Sequence, residues 1–86
     1  MVYEFIITEE IQDLIDTALT QEDKEKTYPE LVSKFVRQRY YERDVEAILN
    51  NYLDDPSSEK YNNDFRKLQE YRKACKLYAK QLLEMN

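Results

Sequence analysis

The chain has 86 residues, 42% of them hydrophobic and 36% charged, with a formal net charge of −5 and neither a glycine nor a histidine. Without glycine, primed hairpin turns and phosphate-cradling loops lack the residue that tolerates positive φ, which excludes a β-rich fold and the common nucleotide-binding loops. Without histidine the usual neutral-pH general base and the ordinary zinc and haem sites are missing, and the acidic balance opposes nonspecific attraction to a phosphate backbone.

In chain order, residues 1–7 come first. VYEFII is β-branched and aromatic and reads as a strand. A lone strand in a helical chain has no ladder partner, so an extended arm, or a short strand paired between subunits, is expected. Thr8 caps the first predicted helix, 8–20, with Glu9 and Glu10 at the positive end of its dipole. Ile11, Leu14, Ile15, Ala18 and Leu19 form one apolar face. QEDKEK, residues 21–26, has no apolar residue and reads as a frayed helix end plus linker.

Thr27-Tyr28-Pro29-Glu30 has the pattern of a capping box with proline in the first turn, which places the second helix at 28–53. Its stripe of Leu31, Val32, Phe35 and Val36 resumes at Val45, Ile48, Leu49, Tyr52 and Leu53. Between them lies FVRQRYYERD, three arginines around two adjacent tyrosines. The in-phase positions there are Gln38 and Glu42. Either one helix carries a polar waist or two helices meet near 40–44, with Asp44 as a cap.

Asp54-Asp55-Pro56-Ser57-Ser58 is the clearest break in the chain, because the residue before proline avoids the α region. The third predicted helix covers 58–85, with Tyr61, Phe65, Leu68, Cys75, Ala79 and Leu82 on its apolar face. Arg66, Lys73, Lys76 and Lys80 line up beside that face. Arg72 falls within it, in phase with Phe65, Leu68 and Ala79. An unpaired guanidinium is costly to bury, so Arg72 is expected to form a structural ion pair with Asp13, Asp16 or Glu46. The fold class is thus all-α: a small single-domain bundle of three helices, or four if the second breaks, with an extended N-terminal arm or short strand.

Charge is unevenly divided. Residues 1–55 hold 14 acids and 6 bases, or −8; residues 56–86 hold 4 acids and 7 bases, or +3. Such a chain folds one end onto the other or pairs with a copy of itself. The single cysteine excludes an internal disulfide, no leader pattern is visible, and no apolar run nears the ~20 residues of a membrane span, which together point to a cytoplasmic protein. Abundant Lys, Asn, Ile and Tyr beside scarce Ala and Pro point weakly to an AT-rich genome, bacterial or phage.

Candidate chemistry is thin. Cys75, on an apolar face, reads as a buried structural thiol rather than a nucleophile. The pairs Glu9-Glu10 and Asp54-Asp55 are explained by helix caps and turns. The loop from Asp54 to Glu59 is rich in oxygen ligands but lacks the spacing and glycine of a calcium loop. No enzyme activity, cofactor, metal, membrane contact or small-molecule substrate is therefore expected. The eight tyrosines combine apolar area with a polar tip, as interfaces do. The favoured reading is a non-catalytic protein-interaction or assembly module, with a protein partner or a second copy in a homodimer. Its candidate partner-binding residues are Arg37, Arg39, Tyr40, Tyr41 and Arg43, with the arginines also pairing with nearby acids. A small helical nucleic-acid-binding or regulatory protein using the same cluster is the alternative. An acidic inhibitor that imitates DNA is a second.

Overall fold

A computed structural model of the protein describes residues 3–85. Those residues form four helices and no strand: α1 Glu9–Thr17, α2 Gln21–Arg37, α3 Glu42–Asp54 and α4 Glu59–Leu82. None is long and apolar enough to cross a membrane.

Thr8 starts α1, its hydroxyl accepting from the Ile11 amide. The second helix begins at Gln21, well before Tyr28, and this corrects the reading of 21–26 as a frayed helix end plus linker. Thr20 and Asp23 form a complete capping box. The Asp23 amide donates to Thr20 Oγ1 at 3.0 Å, and the Thr20 amide donates to Asp23 Oδ2 at 3.3 Å. Two initial amides satisfied at once favour nucleation here over Thr27. Pro29 consequently lies inside α2, not in its first turn. It removes one ladder bond, and the helix runs through it.

The decapeptide divides two helices. After Arg37 the chain makes a tight turn in which the Gln38, Arg39 and Tyr40 amides donate to the carbonyls of Phe35 and Val36. It restarts at Glu42. Asp44 takes part from the third position of α3, where its carboxylate accepts from the Tyr41 amide at 3.3 Å. Ser58 caps α4 by accepting from the Tyr61 amide. The last helix stops at Leu82, short of the expected Met85. Glu84 there adopts a left-handed φ of 53°, the one positive φ among the described residues. Its amide donates to Gln81, and that of Met85 to Lys80. This double closure normally uses glycine, and a chain without glycine places a glutamate in it.

The last helix, α4, is the spine. Both α2 and α3 pack on it, and α1 packs on α2. The molecule measures 45 × 23 × 22 Å, and the 24 residues of α4, at about 1.5 Å each, span most of the long axis. The main core joins Ile11 and Ala18 of the α1 region, Leu31 and Phe35 of α2, and Tyr71, Cys75, Ala79 and Leu83 of the α4 region. Leu68 is buried outside that cluster. The α3 helix has no fully buried residue. Its apolar stripe, Val45, Ile48, Leu49 and Tyr52, is only half-buried, and its firmest anchor is Tyr52 stacked on Phe65 at 4.0 Å and 8°.

The expected strand is not formed among residues 3–8; Met1 and Val2, where that reading begins, lie outside the described residues. Tyr3 and Phe5 are half-buried while Glu4 and Ile6 are exposed. Phe5 stacks on Tyr78 at 4.8 Å and packs against Phe35 and Tyr71. Tyr3 meets the Tyr71 ring edge-on at 5.1 Å. The partner for the backbone is a side chain of the same molecule. Gln38 accepts from the Ile6 amide through Oε1 at 3.0 Å and donates to the Ile6 carbonyl through Nε2 at 2.7 Å. One amide side chain thus makes the pair of bonds that a neighbouring strand would supply.

Candidate functional site

The joint between α2 and α3 distributes the five candidate side chains rather than gathering them into one patch. Arg39 is exposed but lies against aromatic rings of the same molecule. Its guanidinium lies 5.3 Å from the Tyr3 ring centre and 5.5 Å from that of Tyr71, a cation–π arrangement that ties the N-terminal segment to α4. Tyr40 is half-buried, 5.7 Å from Tyr71. Tyr41 is 68% exposed, with Arg43 at 5.8 Å from its ring. Arg37 is exposed on the last turn of α2.

The expected pairing of these arginines with nearby acids is not formed. The ion pairs among the described residues are Lys26–Glu22, Lys34–Glu10 and Lys60–Asp64. For Arg37 and Arg39 the break comes before Glu42, Asp44 and Glu46, so the i, i+4 spacing of a continuous helix does not apply; Arg43 shares α3 with all three and forms no ion pair with them. Arg72 is in none of those pairs either, which corrects the expected bond to Asp13, Asp16 or Glu46. It is half-buried, at a cleft rather than in the sealed core, so its stem packs while its head stays hydrated.

That cleft is one of several concavities among the described residues. It lies between α2, α3 and α4 and encloses about 270 Å³. Val32, Val36 and Tyr40 from the α2 side and Val45 from α3 supply its apolar surface. Arg37, Arg72 and Lys76 supply three cations, and Glu42 one carboxylate. The shape follows from the sequence. The turn at 38–41 swings α3 away from the axis of α2, and the short valines leave the angle between the helices unfilled. Of the five candidates, Arg37 and Tyr40 line this cleft, while Arg39, Tyr41 and Arg43 do not. Lys76 was visible as part of the basic strip of α4, and Arg72 as an oddity in its apolar face. Their convergence with Arg37 depends on how α2 crosses α4, which no local pattern encodes.

The titrating groups of the core are displaced from neutral chemistry. Burial pushes the Tyr71 phenol well above its ordinary range, and its hydroxyl donates to the Phe35 carbonyl at 2.6 Å. Burial also pushes the Cys75 thiol up to about 11, so at neutral pH it is protonated and a poor nucleophile. No family model matches the sequence, and no curated protein and no solved structure matches it either.

Proposed function

We propose that this protein is a non-catalytic protein-interaction or assembly module that docks its partner in the cleft between α2, α3 and α4. The observation that carries the reading is the trio Arg37, Arg72 and Lys76 around a floor of valines, in no ion pair among the described residues. Hydrated cations beside exposed apolar area present charge and apolar surface together, and a partner bearing carboxylates and aliphatic groups matches both. The half-buried stripe of α3 and the 73% exposure of Leu53 add apolar surface on the helix that forms one wall. The raised Cys75 and Tyr71 favour a non-catalytic role, since neither serves as nucleophile or base near neutral pH.

A photo-crosslinking residue at Ser33, a lining position, tests this in the source cells. A discrete adduct is expected there and not from Glu25, an exposed position outside the lining. Arg72→Glu should abolish it.

The exposed strip Arg66, Lys73, Lys76 and Lys80 on α4 supports nucleic-acid binding as the second reading. The net charge of −5 weighs against it. Mobility shifts at micromolar protein and ~50 mM salt should show no complex. A salt-sensitive shift lost in the Arg37→Ala, Arg39→Ala double variant would reverse the ranking.

A further inference from the structure

We infer that the occupant of the cleft is helix α1 of a second copy of this chain, an inference that rests on the docking reading above. The cleft asks for carboxylates and a branched aliphatic group on one helical face. Of the four helices, α1 alone carries acids and no base: Glu9, Glu10, Asp13 and Asp16. Glu10 is engaged by Lys34 at 2.6 Å, and the other three are exposed. Just past the helix, Leu19 is 81% exposed, more than any other large hydrophobic side chain among the described residues. It lies three residues beyond Asp16, where the chain has left the helix at Ala18 (φ −85°, ψ 75°), and so extends the exposed surface at this end of α1. Asp13 and Asp16, three apart, share a face. Such a face sets Leu19 on Val32, Val36 and Val45 and its carboxylates on Arg37, Arg72 and Lys76.

A second copy is favoured over an unrelated acidic segment because donor and receptor occur in the same molecule. In a two-fold pair each subunit gives one α1 and receives one, so every contact is made twice. The division of charge, −8 over residues 1–55 (14 acids, 6 bases) and +3 over 56–86 (4 acids, 7 bases), attracts unlike halves of two copies in the same sense.

Sedimentation equilibrium of the full chain at about 100 μM and low salt is the test, and a dimer is expected whose dissociation constant rises at least about tenfold at ~500 mM salt. Asp13→Lys with Asp16→Lys, and separately Arg37→Glu with Lys76→Glu, should each give a monomer. All four positions are exposed, and circular dichroism checks that both variants stay helical. Mixed together, the two variants restore both contacts with reversed charge and should form a one-to-one heterodimer. A monomeric natural chain, or a dimer indifferent to both pairs of changes, overturns the inference. Cross-linking through Ser33 separates the two readings. An adduct of twice the subunit mass supports the second copy. An adduct of another mass sinks the second copy and leaves docking standing, and no adduct sinks both.

Discussion

Tyr71 shows how much one side chain holds together here. Its hydroxyl donates to the Phe35 carbonyl at 2.6 Å, one of the last carbonyls of α2 and short of helical donors. Its ring receives Tyr3, Phe5, Tyr40 and the Arg39 guanidinium. The Gln38 amide also reaches the Phe35 carbonyl, at 3.2 Å, so losing the hydroxyl does not orphan that oxygen. Tyr71→Phe is therefore expected to cost about 1 kcal/mol in urea unfolding, the net value of one hydrogen bond, rather than the up to ~3 of a stranded buried group. A loss near 3 would show that the Gln38 bond does not substitute. None of these contacts is local in sequence. Tyr71 and Phe35 lie 36 residues apart, and the expected apolar face of the last helix held Arg72 and not the buried Tyr71.

Helix starts are where local chemistry decides, and α2 shows the competition. The sequence pattern pointed to a box at Thr27–Glu30, and the structure forms one at Thr20–Asp23. Pro29 suits a first turn and so matches a start at Tyr28, but it lies inside α2. The earlier box prevails since each added turn extends hydrogen bonding at little cost once a nucleus exists. Asp23 also records the choice in its titration. The Thr20 backbone amide, then its hydroxyl, holds the Asp23 carboxyl below the ordinary value of 3.8. A carboxyl depressed in the folded state contributes stability above its unfolded value, and that contribution is lost as pH falls through the lower folded value. The amide signals of Thr20 and Asp23 should therefore titrate with a midpoint below 3.8, and Thr20→Val should move the Asp23 midpoint upward. An unmoved midpoint would mean that the Thr20 hydroxyl adds nothing to the lowering by the Thr20 backbone amide.

At the scale of the molecule, Tyr3 and Phe5 of the N-terminal segment pack against the core. Phe5 bridges α2 and α4 through Phe35, Tyr71 and Tyr78, and Gln38 closes over Ile6. A chain of 86 residues buries a limited fraction of its surface, so one aromatic ring is a sizeable share of its stability. Phe5→Ala is expected to destabilise by about 2 kcal/mol, below the 3–5 of a fully buried phenylalanine because Phe5 is half-buried. Ile6→Ala, at a site 68% exposed, should change stability by less than about 0.5 kcal/mol. Cys75 supplies the second readout. It is fully buried and its thiol is raised to about 11, so alkylation at neutral pH requires opening of the core. That reaction should be faster in Phe5→Ala and unchanged in Ile6→Ala; equal rates in the three proteins would place Phe5 outside the cooperative unit.

What the amino-acid sequence determined by itself was the fold class and part of what is set within a turn or two of helix, the Thr20 cap of α2 and the end of α4 excepted. Absent glycine, sparse proline and apolar residues at helical spacing made the chain all-α. Thr8 and Ser58 marked helix starts because a hydroxyl and an amide three residues on find each other without help from the rest of the fold. The decapeptide lay at the edge of that range: Gln38 and Glu42 in apolar phase allowed a break but did not require one. Only the tertiary structure decided what its side chains do. Gln38 and Ile6 are 32 residues apart, and Arg39 meets Tyr3 and Tyr71 only because the N-terminal segment and α4 cross beside the same turn. Arg72 likewise looked like half of a buried ion pair until the angle between α2 and α3 left it at the mouth of a cleft. Hydrophobic periodicity states which face of a helix turns inward. Which side chain of another helix waits there depends on crossing angles, and those arise from packing all four helices at once.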